Sequence, residues 1–317
     1  MNNKNYLISV TGPTAIGKTN LSIEIAKNFN SEIISFDSRQ FYKEMTIGTA
    51  VPDVEQLASI KHHFIQNKSI HDKYTVKDFL NESKNLIEKL FRKNNIIVLV
   101  GGSFLFLESI IYGIDEIPDI PKSVREELNN LYLNKGINFL SNILKEKDIK
   151  YYNQIDNKNH RRVIRALEVI EHTGEKFSSF LNNNKKEMYN HIQITLDCNR
   201  NVLYERINSR VDLMIKNGLL NEVKKLYDYK DLGTLNTVGY KELFKYLDND
   251  LSLDKSIDEI KKNTRRFAKR QITWLRNSKG KKYWYDSGLS SEKIILELNK
   301  ILKIWWNSFI YILNFWN

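Results

Sequence analysis

The residues Gly12-Pro13-Thr14-Ala15-Ile16-Gly17-Lys18-Thr19 follow an apolar run, Tyr6-Leu7-Ile8-Ser9-Val10, and lead into a stretch with helical periodicity. The spacing G-x-x-x-x-G-K-[ST] gives each part a task in holding a polyphosphate. Gly12 and Gly17 let backbone N–H groups turn inward, and Lys18 adds a point charge. Thr19 can offer its hydroxyl to a magnesium ion carried by the same phosphates. Leu21, Ile25 and Ala26 share one helical face, so the loop feeds a helix N-terminus, where the dipole favours an anion. These residues predict phosphate binding and leave open what becomes of the phosphate.

A second candidate is Asp37, which ends the apolar run Ser31–Phe36. Ligands of open α/β sheets lie beyond the carboxyl ends of the strands, which places Asp37 toward the loop. A carboxylate there can bind a metal, orient a substrate or take a proton. The plainer alternative is that Asp37 caps a following helix. Arg39 and Lys43 read more simply as solvated charges or backbone contacts. A third apolar run, Ile96–Val100, ends in Gly101-Gly102-Ser103, not in the metal-holding Asp of many P-loop NTPases. With no Asn-Lys-x-Asp guanine signature either, a motor ATPase or GTPase is disfavoured. The two glycines permit close backbone approach to a ligand.

These candidates need a scaffold. Near-continuous apolar strands at 6–10, 31–36, 96–100 and 191–196 alternate with helical stretches, Val76–Arg92 among them. That pattern predicts an α/β fold, a P-loop NTPase-like parallel sheet flanked by helices. From Asp119 the chain turns helical and charged, entered at Pro118 and Pro121, until sheet-like sequence returns near 190. The expected organisation is therefore a catalytic core from 1–118 and 190–300, with C-terminal RNA-binding helices and a short strand at Lys282–Tyr285. A helical insertion domain spans 119–189, and an apolar extension spans 301–317. That extension, rich in Trp and Phe, is too short and too interrupted to span a membrane. It reads as a helix packed on the body or a partner, as a poorly ordered tail, or as a membrane contact.

Of 317 residues, 41% are hydrophobic and one is cysteine, Cys198; this is a globular composition without a disulfide framework or a multi-cysteine zinc site. The N-terminus shows no signal peptide, and a cytoplasmic monomer is expected. The net charge of +11 suggests a polyanionic partner, although a chain rich in Lys, Asn and Ile also reflects an AT-rich genome. Position is the better guide. From Lys261 to Lys282 there are ten Lys or Arg residues and no Asp or Glu. Lys262, Arg266 and Arg270 form one helical line, with Lys261, Arg265 and Lys269 beside it. Ile260, Phe267 and Trp274 form an apolar seam. A helix packed on one side and basic on the other suits an RNA backbone.

The phosphate loop, Asp37-Ser38-Arg39-Gln40-Phe41-Tyr42-Lys43, Ile47-Gly48-Thr49-Ala50, Val100–Ser103, Arg165–Val169, Val238–Lys241 and Lys269–Arg276 occur in that order over nearly the whole chain. This set resembles the tRNA dimethylallyltransferases, the IPP transferase family. The resemblance implies transfer of a dimethylallyl group from dimethylallyl diphosphate to N6 of the adenosine at tRNA position 37, next to the anticodon, with Mg2+. It implies that the loop and Lys18 hold the departing diphosphate, with the metal near Thr19. It assigns proton acceptance to Asp37 and a diphosphate contact to Arg210, with Arg206 one turn away as a rival. The plainer reading of Arg210 is a surface charge pairing with Glu205 or Asp212. Contacts to the tRNA anticodon stem-loop are implied for Asp37, Ser38, Arg39, Gln40, Ser103 and Arg125. They are also implied for Arg161, Arg162, Val163, Ile164 and Arg165, for Thr237, Val238, Gly239, Tyr240 and Lys241, and for Lys269, Arg270, Gln271, Ile272, Thr273, Trp274, Leu275 and Arg276. Ser103 stands where Thr is common in bacterial members, and Lys241 where Arg is common, which keeps the charge but not the bidentate fork. A small-molecule kinase using ATP remains the alternative, because the loop alone serves either donor.

Overall fold

The computed structural model describes residues 4–182 and 185–303. Of the extension expected at 301–317, only residues 301–303 fall among these; the alternatives for its aromatic part lie outside the described residues.

In chain order the elements are β1 Tyr6–Thr11, α1 Lys18–Asn28, β2 Ile33–Ser35, α2 Val54–Ser59, β3 His62–His63, α3 Val76–Phe91, β4 Ile96–Val100 and α4 Phe104–Tyr112. Then come α5 Lys122–Lys147, α6 Ile149–Tyr152, α7 His160–Thr173, β5 Asn190–Asp197, α8 Arg200–Lys216 and α9 Leu219–Lys225. The last are α10 Tyr240–Leu247, α11 Leu253–Asn277, β6 Lys282–Asp286 and α12 Ser291–Ile301. Two compact units result: one from the chain up to Ile111 and again from Glu187, the other from Tyr112–Lys186.

The first unit holds a six-stranded sheet in the order β3-β2-β4-β1-β5-β6, and every pairing is parallel. Leu7, Ile8, Val10, Ile97, Val98 and Leu99 are at most 1% exposed, so both faces of β1 and β4 are covered. This is why those strands read as continuous apolar runs. Each such side chain contributes about 1.5–3 kcal/mol on burial. The two-residue β3 has no apolar run to announce it. The second strand is shorter than its 31–36 run: the Ser31 N–H donates back to the Ala26 carbonyl of α1 and not to a neighbouring strand. Its far end still reaches the site, since Phe36 N–H donates to the Val100 carbonyl. The parallel arrangement brings the ends of β1, β2 and β4 to one rim, with the phosphate loop, Asp37 and Gly101-Gly102 on it.

Asparagines serve the opposite rim and the helix starts. The Asn94 amide donates to the Phe29 and Asn30 carbonyls and accepts the Ile96 N–H. Asn190 donates to the Asn5 carbonyl, while Asn159 and Asn199 cap α7 and α8.

The second unit is helical. Its long α5 is broken at Gly136 (φ 76°, ψ 176°), a backbone shape that disfavours any side chain. Leu128 before the break and Leu140 and Leu144 after it share one core with Val163, Leu167 and Ile170 of α7. Asp148, 1% exposed, accepts the N–H groups of Tyr151 and Ser178 and the Ser178 hydroxyl. No helix among the described residues is long and apolar enough to cross a membrane.

Candidate active site

Gly12 (φ 146°) turns the chain off β1 where a Cβ would meet the Leu196 carbonyl at 2.8 Å, and Gly17 (φ 103°) turns it into α1. Lys18 opens α1 and donates to the Pro13 carbonyl at 2.8 Å. Burial pulls its ammonium down to about 8; Asp37 opposes that fall and the Arg210 guanidinium adds to it. Thr19 follows in the first turn.

No helix follows Asp37. Its carboxylate accepts the Arg39 N–H (3.2 Å) and its carbonyl the Gln40 N–H (3.0 Å), a tight turn that replaces the capping role. Ser38 makes two contacts with Ser103: its N–H donates to Ser103 Oγ (3.0 Å), and the two hydroxyls lie 2.9 Å apart. The Arg39 guanidinium donates to the Thr234 carbonyl (2.8 Å), and Gln40 donates to the Thr49 and Ala50 carbonyls.

Arg210, from α8, reaches the loop: its Nη1 donates to Thr14 Oγ1 at 3.3 Å. Burial lowers its ordinary value and Asp37 counters it. Asp212 instead pairs with Lys261 at 2.6 Å, and the exposed Arg206 binds Ser287 at 2.8 Å. The surface-pair reading of Arg210 therefore does not hold.

Two cavities meet here. One, of about 410 Å³, surrounds the loop and includes Lys18, Thr19, Gly101 and Gln271. The other, of about 380 Å³, is walled by Ser38, Arg39, Ser103, Thr237, Val238, Gly239, Lys241 and Arg270. Thr14, Asp37, Thr49, Ala50, Arg210 and Phe267 line both. An open depression of about 660 Å³ lies at the ends of β5 and β6 and shares no lining residue with either cavity.

The wall at 46–50 has an anchor that sequence reasoning missed. The Glu222 carboxylate, on α9, accepts N–H groups from Thr46 (3.0 Å), Ile47 (2.8 Å) and Gly48 (3.0 Å), and the Tyr240 hydroxyl (2.6 Å). Tyr240 is wholly buried against Gly48, where a Cβ would lie 2.5 Å from its ring. Burial and the neighbouring carboxylate hold its phenol far above the usual value. Nothing in the short, charged stretch around Glu222 announces this.

Several expected RNA contacts are corrected by burial. Tyr240, Val163, Ile164 and Leu275 are at most 4% exposed, so their side chains shape their segments from within. Gln271 is 4% exposed and faces the phosphate loop. The seam of α11 also differs. Ile260, Ala268, Gln271 and Leu275 are its buried residues on this side, whereas Phe267 is 39% exposed and lines both cavities. The seven-residue spacing drifts by only about 40° from 260 to 274, so the departure is local: Phe267 turns to the cavity and leaves the packing there to Ala268 and Gln271. Trp274 stacks on Phe104, centroids 4.2 Å apart, and Ile272 is partly buried against the sheet core. Lys262, Arg266, Lys269, Arg270, Thr273 and Arg276 are exposed, while Arg265 donates to Asn208.

In the helical unit, Arg125 and Arg165 both donate to Glu168, whose side chain is 2% exposed, and Arg161 and Arg162 are exposed in the first turn of α7. Among the described residues no three His, Cys, Asp or Glu side chains gather as a metal site.

A family model described as IPP transferase matches residues 40–278. The chain is 49% identical over 306 residues to a tRNA dimethylallyltransferase of Flavobacterium psychrophilum, covering 94% of this chain and 99% of that protein. It is 50% identical over 291 residues to one of Christiangramia forsetii, covering 92% and 96%. Among solved structures it is similar to the full-length tRNA isopentenylpyrophosphate transferase of Bacillus halodurans, with a TM-score of 0.71 and 38% identity, covering 95% of this chain and 96% of that one. A eukaryotic dimethylallyltransferase acting on tRNA aligns with a TM-score of 0.81 and 26% identity, over 95% and 80%.

Proposed function

The chain belongs to the IPP transferase family, and we propose that it transfers a dimethylallyl group from dimethylallyl diphosphate to N6 of the adenosine at position 37 of tRNA. The products are the N6-isopentenyl nucleoside and diphosphate. The names of its relatives favour this over the ATP-dependent kinase that the loop alone leaves open.

One observation carries the assignment of roles: the two cavities join at Thr14, Asp37, Arg210 and Phe267. The loop cavity takes the diphosphate, held by backbone N–H groups, Lys18 and Arg210. Their charges face the oxygens that become more negative as the C–O bond breaks. The second cavity takes the flipped adenine, whose N6 is out of reach while stacked. The N6 lone pair forms the new bond to the allylic carbon, the C–O pair leaves with diphosphate, and the N6 proton passes to Asp37. Delocalisation makes that amine a weak nucleophile, which is why a carboxylate at the junction matters.

Thr19 lines the loop cavity and would give one hydroxyl, while Asp37 is left to take the N6 proton. That single protein donor fits Mg2+, which keeps several waters and binds through few protein groups plus substrate phosphates. When bound there, the ion supplies charge neutralisation at the leaving group. The exposed cations of α11 and of α7 meet the anticodon stem-loop by phosphate contacts. The single cysteine suits the reducing cytoplasm, where we place this reaction.

The test is an anticodon stem-loop incubated with the protein, Mg2+ and dimethylallyl diphosphate, followed by mass spectrometry of the nucleosides. The expected product is an adenosine heavier by one five-carbon unit. Its absence, with the donor intact, overturns the reading.

A further inference from the structure

We propose that Gln271 is a positioning residue for the phosphate loop and not a tRNA contact. The inference rests on the reading above for the identity of the ligand, and on the following geometry for everything else.

Gln271 sits on the inner face of α11, between Ala268 and Leu275, both fully buried. Its amide is used at both ends. Oε1 accepts the Thr14 backbone N–H at 2.9 Å, and Nε2 donates to the Gly102 carbonyl at 3.0 Å. Thr14 belongs to the loop after β1, and Gly102 to the turn after β4. These two backbone segments leave neighbouring strands and have no ladder bond past Val10 and Val100. One neutral amide therefore spans the gap between them. The position needs an acceptor and a donor at once, which an amide supplies and a carboxylate or an ammonium does not.

Gly102 is fitted to it. A Cβ there would lie 2.6 Å from Gln271 Nε2, and 3.6 Å from the nearer Asp37 carboxylate oxygen. The same amide thus fixes the distance between the anion loop and the turn beside the proton acceptor. The exposed face of the helix carries Arg266, Lys269 and Arg270. Opposite sides of α11 have different tasks: cations outward, loop registration inward. Gln271 is 4% exposed and holds one bond at each end of its amide, which turns it from the RNA-facing side.

The experiment compares Gln271→Met, which keeps length and loses both bonds, with wild type. Calorimetry with inorganic diphosphate should show affinity weaker by about tenfold, the loss of about one hydrogen bond's worth of loop order. Single-turnover transfer should slow by roughly 10–100-fold, as expected when a reacting group is misplaced by about 1 Å. The Kd of the anticodon stem-loop and its salt slope should stay within about twofold of wild type. Gly102→Ala approaches the same bond from the other side and serves should Gln271→Met fail to fold. It should reproduce the loss of diphosphate affinity, and Gly102→Ala with Gln271→Ala should be no worse than Gln271→Ala alone. Unchanged diphosphate affinity overturns the inference. So does a fall in stem-loop affinity with a shallower salt slope, or full additivity of the two sites. If wild type yields no prenylated nucleoside while Gln271 still governs diphosphate affinity, the proposed reaction fails and this assignment stands.

Discussion

Raising the pH above 8 should release the diphosphate from the loop, and Lys18 sets where the release begins. Burial lowers its ammonium from 10.5 to about 8, against the pull of Asp37 and with the push of Arg210. A bound diphosphate supplies the missing counter-charge and restores the protonated form, so binding takes up one proton once the free protein has lost it. Apparent affinity should then fall by about tenfold per pH unit above 8, up to about two and a half decades by pH 10.5. The donor's own ionisation only adds negative charge as pH rises and cannot imitate this fall. Loss of the Lys18 proton does not itself unfold the protein. Between pH 8 and 10.5 the unfolded chain holds a proton that folded Lys18 has released, so this group favours folding as pH rises. Titration calorimetry with inorganic diphosphate from pH 7 to 10 measures the limb. Lys18→Arg should abolish it, because a guanidinium stays charged throughout. Asp37→Asn should move it below 8, because Asp37 is the group that raises the ammonium. A flat profile, or a fall that survives in Lys18→Ala, refutes the reasoning.

Asp37→Ala should cut single-turnover transfer by roughly 10²–10⁴ while stem-loop affinity stays close to wild type, measured by rapid quench and fluorescence anisotropy. Arg266→Gln with Arg270→Gln should weaken stem-loop binding and flatten its log–log salt dependence by about one unit for each phosphate no longer neutralised. Glu222→Ala strips the partner from three backbone N–H groups and a buried phenol, and should destabilise the protein by about 3 kcal/mol or more in urea melts.

The phosphate loop, the alternating elements and the apolar strands were legible because each obeys a local rule: spacing in the loop, periodicity in helix and strand. Asp37 was legible as a strand-end residue, though its turn was not, since a cap and a turn use the same residue type. The α11 seam was misread because Phe267 is apolar and correctly spaced, yet it faces the cavity and leaves the packing to Ala268 and Gln271. A polar residue on a buried face has no periodic signature; only its partners at Thr14 and Gly102, far away in the chain, explain it. Glu222 is hidden for the same reason, because its partners lie more than 170 positions earlier. Arg125 looks like one basic residue among many until Glu168 is seen beneath it.

The amide of Asn94 makes the rim away from the chemistry perishable. It gives two protons to carbonyls and receives one in return. Hydrolysis to aspartate, a familiar injury of heated proteins, would set a negative oxygen against the Phe29 and Asn30 carbonyls. Such a lesion would loosen that end while leaving every catalytic group chemically whole.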